Sequence, residues 1–365
     1  MTSETMRAAD ELASRVHAGG PARAPALSLA VANRAGVIWS GAYGKTDLEF
    51  DVAATPDHLF RLGSVSKVVT ATAAARLAAR GAIDLDAPIS AYLRDLPTQH
   101  RATTTRQLLT HRGGVRHYLP KDYDLDVQGG PIYLRHYASN AEILVLFIDD
   151  PLVAPPGEQV TYSSYGYTLA SLAMEAAAGK PFLVLIEEEI ARPFGLASLV
   201  PDEPLAIVPQ RASGYMTEFD RNMLLARLPE AARPRLTGGY TKMPAVTPAF
   251  CWAGAGFLMT PSDCARFGAA LLDGREARIG TAERALLFTP LTGAQPGSPP
   301  LGLGWRIDHD ARGRLRWHHA GSTPGGRYGL AIYPELGLSI ALASNVIVAP
   351  GDVLGPSASL ADIFS

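Results

Sequence analysis

In the stretch Arg61-Leu-Gly-Ser64-Val-Ser-Lys67-Val-Val-Thr-Ala-Thr-Ala-Ala-Ala-Arg-Leu77, a glycine turn leads into a long apolar run. The run predicts an α-helix, and because residues 68–79 carry almost no polar face, we expect this helix to be surrounded by protein. Ser64 and Lys67 are three positions apart, so on a helix they share one face and lie one turn from each other. A buried serine and a buried lysine both need hydrogen-bond partners.

The pair Ser64 and Lys67 has the parts of a nucleophilic site. A serine hydroxyl is a weak nucleophile until a base removes its proton. A half-buried amine one turn away is a suitable base, because burial disfavours the charged ammonium form. Ser64 also lies at the predicted helix N-terminus, where unpaired N–H groups and the helix dipole stabilise a developing anion. The S-x-x-K motif by itself fits an ordinary helix start equally well.

Short β-type runs occur at both ends of the chain and are joined by tight turns. Closely spaced strands with short turns indicate antiparallel pairing, so the two groups are expected to form one sheet. The sequence therefore predicts an α/β (α+β) fold, in which an antiparallel sheet built from N- and C-terminal strands is flanked by helices. The predicted strands are residues 26–33, 37–43, 315–319, 328–333 and 338–344.

The middle of the chain differs from its ends in residue composition and pattern. Turns rich in Pro, Gly and Asp separate helical pieces there, which predicts a mostly helical lobe over residues 84–250 inserted into an α/β lobe of residues 1–83 and 251–365. The active site is expected in the cleft between the two lobes. A further helix start is indicated at Thr260-Pro-Ser-Asp263, with a cap residue, a proline at the first helical position and an acid three residues on.

Composition excludes several classes of function. The 365 residues have a formal net charge of −2 and contain no basic run, so neither nucleic acid nor an anionic membrane is an expected partner. The two cysteines are too few for a disulfide framework, and no apolar run is long enough to cross a bilayer. The N-terminus lacks a secretory pattern, so a cytoplasmic protein, alone or as a homo-oligomer, is the expectation.

Histidines do not indicate a metal site. His318 and His319 are adjacent, so on a strand their rings face opposite ways, and His111 and His117 lack an accompanying acidic motif. We therefore expect neither a metal nor a cofactor. An α/β-hydrolase is not indicated either, because the chain has no G-x-S-x-G elbow.

Two more spots carry side chains suited to proton transfer. Tyr162 lies in a tight polar turn before a predicted helix, and a phenol beside an ammonium is able to relay a proton. Gly321 follows His319 at the end of a predicted strand and permits close approach by a ligand, while the N–H of Ser322 is a candidate oxyanion donor. Taken singly, Tyr162 fits a packed core tyrosine and His319 fits an ordinary edge-strand histidine.

Together, three motifs in this order resemble the serine β-lactamase and penicillin-binding-protein family: Ser64-Val-Ser-Lys67, Tyr162-Ser-Ser164 and His319-Ala-Gly321. The flanking stretches agree, since Arg106-Gln-Leu-Leu-Thr-His111 and Gly114-Val-Arg-His-Tyr118 are similar to motifs of the same family. The resemblance extends over roughly residues 26–345. It is nearest to the branch with class C β-lactamases, family VIII esterases, D-Ala-D-Ala carboxypeptidases and the mitochondrial serine β-lactamase-like protein, and it implies a β-lactamase/transpeptidase-like fold.

The resemblance implies a role for each motif. Ser64 would be the acylated nucleophile, and Lys67 and Tyr162 would share the acid and base work. Backbone N–H groups of Ser64 and Ser322 would form the oxyanion hole. His319 would stand where other members have lysine and would support the proton network of Tyr162.

Departures from the family pattern bear on the substrate, which Ser164, Ala320 and Gly321 are expected to bind. Ser164 replaces an asparagine and has no amide for a substrate amide. His319 and Ala320 remove a permanent cation and a hydroxyl from the strand that, in relatives, receives a substrate carboxylate. We therefore predict a serine hydrolase for small esters first, then small amides or peptides, then β-lactams. A β-lactamase, a D-Ala-D-Ala carboxypeptidase and a non-catalytic scaffold that retains the fold remain the alternatives.

Overall fold

The structure is a computed structural model that describes residues 2–19, 23–123, 132, 135–137, 139–226, 229–272, 278–295 and 298–365. Its helices, numbered in chain order, are α1 Ser3–Ala18, α2 Ser66–Ala79, α3 Thr105–Leu109, α4 Ser164–Ala178, α5 Phe182–Ile186, α6 Arg192–Phe194, α7 Glu218–Leu224, α8 Trp252–Ala255, α9 Pro261–Ala270, α10 Thr281–Phe288 and α11 Gly355–Phe364.

The strands are β1 Ala26–Asn33, β2 Gly36–Asp47, β3 Val52–Ala53, β4 Phe60–Arg61, β5 Val200–Pro201, β6 Tyr215–Thr217, β7 Tyr240–Lys242, β8 Phe257–Met259, β9 Arg306–His309, β10 Leu315–Thr323, β11 Gly326–Tyr333 and β12 Leu338–Ser344. Within the described residues they form a seven-stranded sheet in the order β3-β2-β1-β12-β11-β10-β9, a three-stranded sheet β4-β8-β5 and the pair β6-β7.

The seven-stranded sheet joins the two ends of the chain, which confirms the predicted fold class. Leu29 of β1 is opposite Leu342 of β12, and each neighbouring pair of strands is antiparallel. Strand β10 continues to Thr323, four residues beyond the predicted end, because its pairing with β11 continues through Ser322 and Arg327. The edge strands β3 and β9 were not predicted, since neither is more than four residues long.

Helices cover both faces of the large sheet. On one face, α1 and α11 pack against apolar side chains of β1 and β12, with Ala9, Leu29 and Leu360 in this core. On the other face lies α9, and residues of α2 belong to the same hydrophobic core as those of α9. Eleven of the fourteen residues of α2 are buried, so the apolar sequence of this helix did predict its burial. The site residues Ser64 and Lys67 therefore lie inside the molecule rather than on a surface helix.

Residues 84–250 are less helical than the sequence suggests. Residues Asn140–Leu146 form a 3₁₀ segment rather than an α-helix, and the strands β5, β6 and β7 also lie in this part of the chain. These strands escaped prediction because each has only two or three residues. Strand β5 pairs with β8, which also pairs with β4. The division into two lobes stays a prediction.

No single helix among the described residues has both the length and the apolar composition needed to cross a membrane. The segments Ser164–Ala178 and Phe182–Phe194 pass that test only as a pair, and they are bent by 80° relative to each other.

Candidate active site

Ser64 lies in a 3₁₀ turn, Gly63–Val65, that leads directly into α2. Gly63 has a φ of +50°, a left-handed conformation that glycine adopts without steric cost. The turn is fixed from one side by β8, since the Leu62 N–H donates to the Phe257 carbonyl at 2.9 Å. The glycine before the serine thus positions the Ser64 hydroxyl at the entrance of the buried helix.

Lys67 is completely buried and its Nζ donates to three oxygens. These are Ser64 Oγ at 3.3 Å, Ser164 Oγ at 2.9 Å and the Gly254 carbonyl at 2.9 Å. In the described part of the chain, no acidic side chain forms an ion pair with this amine. Ser164, expected to bind substrate, therefore has its hydroxyl engaged with Lys67, and its side chain is almost fully buried. All three of these partners are neutral oxygen atoms.

The Tyr162 hydroxyl donates to Ser64 Oγ at 2.7 Å. The structure therefore brings the predicted tyrosine to the serine that Lys67 also contacts. Backbone hydrogen bonds hold the loop that carries it, because Thr161 N donates to the His111 carbonyl and Gly157 N to the Arg112 carbonyl, both at 2.7 Å. Helix α4 begins two residues later, with Ser163 as its N-cap. The loop position of Tyr162 is therefore defined by the chain just after α3.

His111 lies beneath Tyr162, a contact that the sequence reasoning missed. The two ring centroids are 4.3 Å apart, and the Ser163 N–H donates to His111 Nδ1 at 3.2 Å. Burial, followed by the charge of Lys67, lowers the pKa of His111 well below its usual value, so the ring is neutral. The sequence gives His111 no role beyond its place in a stretch similar to a family motif, whereas in the structure its backbone and its ring both hold the segment that carries Tyr162.

His117 is a second neighbour that had received no role. Its ring lies edge-on to Tyr162 at 5.3 Å, and its Nδ1 accepts from the Ser164 N–H at 3.2 Å. Burial, then the charge of Lys67, lowers the pKa of His117 to about 4. No linear motif points to either histidine as a partner of the tyrosine, because the contacts form only when α3 and α4 pack together.

Strand β10 contributes backbone rather than side chains to the other side of Ser64. A Cβ on Gly321 would lie 2.0 Å from the Leu62 carbonyl and 2.9 Å from Ser64 N, so no larger residue fits there. The sequence predicts close approach of a ligand at Gly321, whereas in the structure the backbone of Leu62 and Ser64 lies against it. A Cβ on Gly63 would likewise lie 2.9 Å from Ser322 N. This close contact brings the Ser64 and Ser322 amides to one junction.

His319 and Ala320 lie outside the hydrogen-bonded group around Ser64. His319 is buried, and its Nδ1 lies 2.7 Å from the carbonyl oxygen of Ala320. Burial, followed by the charges of Lys67 and Arg306, lowers the pKa of His319 well below its usual value, so it supplies no cation. Within the described residues it forms no hydrogen bond with Tyr162. Ala320 is exposed on the opposite face of the strand.

Ser64 opens into a cavity of about 420 Å³, which we call the Ser64 cavity. Its walls include the segments near residues 117–123 and 246–251, together with the end of β10. Arg61 and Asp202 also line it and form an ion pair at 2.7 Å, so their charges offset each other. A larger groove of about 590 Å³ lies between α5, α6 and β5 and contains none of the predicted site residues. Residues that line the Ser64 cavity include Ser64, His117, Tyr118, Tyr123, Ser164, Phe250 and Ser322.

Metal-binding groups are absent from the described ranges, since no three His, Cys, Asp or Glu side chains there are grouped to hold an ion. Cys251 and Cys264 are both buried and unpaired, and burial raises the pKa of each thiol to about 12. Neither cysteine is therefore a ready nucleophile.

A serine at the start of a buried helix, a lysine one turn later and a tyrosine from a neighbouring loop define a protein with the β-lactamase and penicillin-binding-protein fold. The family model described as Beta-lactamase matches residues 13–356, so the chain belongs to this family.

Two relatives show the range of the family. The chain is 26% identical over 317 residues to the mitochondrial serine beta-lactamase-like protein of Homo sapiens, covering 70% of this chain and 55% of that protein. It is 29% identical over 340 residues to an esterase of Burkholderia gladioli, covering 86% and 84% of the two chains. The chain thus spans about half the length of the mitochondrial relatives.

A solved structure confirms the fold. The D-amino acid amidase of Ochrobactrum anthropi superposes with a TM-score of 0.80 over 98% of both chains, at 22% identity. At this level of identity the similarity concerns the fold alone.

Proposed function

We propose that this chain is a serine hydrolase that forms an acyl-enzyme at Ser64 and acts on small esters or amides without a cofactor. One observation carries the proposal: Ser64 Oγ lies within hydrogen-bond distance of both Lys67 Nζ and the Tyr162 hydroxyl, at the wall of an open cavity. The esterase and the amidase among the similar proteins support this class of substrate.

The chemistry follows from these contacts. Ser64 Oγ attacks the carbonyl carbon and its proton passes to Lys67 or Tyr162, whichever is unprotonated. The carbonyl oxygen becomes an oxyanion, which the N–H groups of Ser64 and Ser322 stabilise. When the intermediate collapses, the carbon–heteroatom bond breaks and the leaving alcohol or amine takes up the proton. Water then attacks the acyl-enzyme and gives a proton to the same base, the bond between the acyl carbon and Ser64 Oγ breaks, the acyl group leaves as a carboxylic acid, and the proton returns to Ser64 Oγ.

The lobe division is part of this proposal. Ser64, Lys67 and Ser322 belong to the predicted α/β lobe of residues 1–83 and 251–365, whereas Tyr162 belongs to residues 84–250. The active site would then be the cleft between the lobes, with the proton relay completed across it. A cytoplasmic location and self-association stay predictions from the sequence.

Simple esters and amides fit the Ser64 cavity better than β-lactams do. The ring of His319 is neutral where relatives place a lysine, and Arg61 is paired with Asp202. Arg327 lies near Ser322, and its Nη atoms donate to the Ser322 hydroxyl and to the Ile347 and Gly351 carbonyls. A substrate carboxylate would have to displace these bonds to reach Arg327, which offsets the gain of about 1.5–3 kcal/mol that a charge-assisted hydrogen bond contributes.

Labelling with a fluorophosphonate tests the enzyme class. Such a probe phosphonylates a serine that is activated as a nucleophile, so we expect labelling of Ser64, detected by peptide mass spectrometry, and none of the Ser64→Ala variant. A scaffold that merely retains the fold predicts an unlabelled Ser64, and that result would contradict the proposed function.

Substrate preference requires a separate measurement. We expect a higher kcat/KM for p-nitrophenyl butyrate than for nitrocefin, because His319 is neutral and Arg61 is already paired with Asp202, so neither offers a free positive charge to the carboxylate of nitrocefin. A clear preference for nitrocefin would reverse the order of substrates and favour a β-lactamase.

A further inference from the structure

His117 is a polar side chain in the wall of the Ser64 cavity that the proposed mechanism does not use. Three contacts fix its ring. The Ser164 N–H donates to Nδ1 at 3.2 Å, the ring of Tyr118 lies 4.4 Å away at an interplanar angle of 32°, and the ring of Tyr162 lies 5.3 Å away at 85°. The orientation of His117 is therefore set by the same segment that carries Tyr162 and begins α4.

The hydrogen bond at Nδ1 also sets the tautomer. A ring nitrogen that accepts a backbone N–H carries no hydrogen, so the neutral imidazole has its hydrogen on Nε2. Among the described residues, Nε2 has no hydrogen-bond partner, and the ring is only partly buried. Lowering of the pKa of His117 to about 4 keeps the ring neutral near pH 7. The ring thus offers a neutral N–H donor and no available lone pair, which excludes it as a general base.

Ser164 does not offer an equivalent donor. Its hydroxyl is bonded to Lys67 and its side chain is almost fully buried. Around His117 the cavity wall is aromatic, with Tyr118 in contact with Phe250 at 5.4 Å and with Tyr123 at 6.3 Å. A neutral donor in an apolar, aromatic wall matches an uncharged acceptor on an apolar group.

We propose that His117 is a specificity-determining residue, whose Nε2–H donates to an uncharged acceptor oxygen on the acyl part of the substrate. The preferred substrates are then esters or amides of N-acylated amino acids or similar acyl groups that carry a second carbonyl. This inference rests on the proposed function, since it assigns a substrate class to the same cavity.

Two esters of similar size test the inference: p-nitrophenyl N-acetylglycinate, which carries a second carbonyl, and p-nitrophenyl pentanoate, which does not. The readout is the ratio of their kcat/KM values, divided by the ratio of their hydroxide-catalysed rates. The wild-type protein is expected to favour the acetylglycinate. In His117→Phe, which keeps a ring but removes the donor, the ratio should fall about tenfold, the effect of one hydrogen bond.

Two further variants separate recognition from structure. His117→Gln keeps an N–H donor and should recover part of the ratio. His309→Phe, a change at an exposed histidine of β9, should alter neither rate. An equal loss on both esters in His117→Phe would show a structural role and overturn the inference. The inference would also be overturned if the wild-type protein favoured the acetylglycinate over the pentanoate no more than hydroxide does. This second result does not depend on whether the variants fold.

The failure of this inference differs from the failure of the proposed function. Hydrolysis of both esters with an unchanged ratio would contradict only the role of His117. If the wild-type protein hydrolyses neither ester and its Ser64 is not labelled by the fluorophosphonate, the hydrolase itself is contradicted.

Discussion

The two sides of Ser64 are built on different principles. On the helical side, Lys67, Tyr162 and Ser164 present side chains that are joined to one another or to Ser64 by hydrogen bonds of 2.7–3.3 Å. On the strand side, Gly321 lets the backbone of the Ser64 turn approach closely because it has no Cβ, and Ser322 presents a backbone amide. The ring of His319, on the same strand, forms a hydrogen bond with the carbonyl of its own neighbour, Ala320.

This difference separates two tasks. In the proposed mechanism, proton transfer uses groups whose protonation changes, and these come from α2 and from the loop before α4. The proposed oxyanion hole uses fixed dipoles instead, which the Ser64 turn and the strand packed against it would supply without any titrating group. Substitutions on the helical side should therefore affect turnover more than stability, and substitutions that crowd the close backbone contact on the strand side should affect both.

The largest expected effect is on the helical side. Ser64→Ala removes the nucleophile, so turnover of p-nitrophenyl butyrate should fall by about 10⁴-fold or more. The melting temperature should stay within about 4 °C of wild type, because Lys67 keeps its bonds to Ser164 and Gly254. Steady-state kinetics and calorimetry check the two parts, and substantial residual turnover would place the nucleophile elsewhere.

Tyr162→Phe should have the next largest effect. It removes the hydroxyl that donates to Ser64 but keeps the ring that packs on His111. A loss in kcat of about 10²–10⁴-fold is expected, which is the usual contribution of a general acid or base. Near-normal kcat in this variant would mean that Lys67 alone manages the proton.

On the strand side, Gly321→Ala tests the backbone contact. The new methyl group would lie 2.0 Å from the Leu62 carbonyl, so the strand or the Ser64 turn must move. We expect the free energy of unfolding to fall by about 1–3 kcal/mol and kcat/KM to fall by about 10²-fold. Gly293→Ala is the matched control, because no atom lies within 4 Å of its added Cβ. Equal urea midpoints for the two variants would refute the close contact.

His319→Gln should have a small effect on turnover. Since the ring has no hydrogen bond to Tyr162 in the described part of the chain, kcat/KM for p-nitrophenyl butyrate should change by less than about tenfold. A loss as large as that of Tyr162→Phe would show that His319 belongs to the proton network after all, as the family resemblance suggested.

The smallest effect concerns pH. The pKa of His117 falls from its usual 6.5 in the unfolded chain to about 4 in the folded protein. Between these values the unfolded state binds more protons, so this group makes the free energy of unfolding decrease as pH is lowered from 6.5 to 4. His117→Phe should therefore show a shallower decrease in urea midpoint across that interval. A slope equal to that of wild type would show that the folded pKa is not lowered.

How much the sequence predicts depends on how local the interaction is. The contact of Ser64 with Lys67 follows from helix periodicity, and the large sheet follows from alternating strands and short turns. Tyr162 is 98 positions from Ser64, so its residue type suggested proton transfer, but only resemblance to a family placed it beside Ser64. The support given by His111 and His117 came from neither, because it exists only once α3 packs against α4.

Gly321 shows a second limit. A glycine at a strand end indicates that something approaches closely, but the sequence does not say what. Here the approaching group is the Leu62 carbonyl rather than a substrate. The same limit applies to Ser164, whose hydroxyl accepts a hydrogen bond from Lys67. Gly254 lies against both residues, since a Cβ there would be 3.3 Å from Ser164 Cβ and 3.4 Å from Lys67 Nζ.

The pairing of β1 with β12 has a consequence for biosynthesis. The strand that carries Ser322 lies next to β11, which in turn needs β12 and β1, so the anchoring of the oxyanion donors depends on residues from both ends of the chain. The ribosome must therefore synthesise β12 before this sheet is complete, and a growing chain that ends before β10 has Ser64 but not the Ser322 amide.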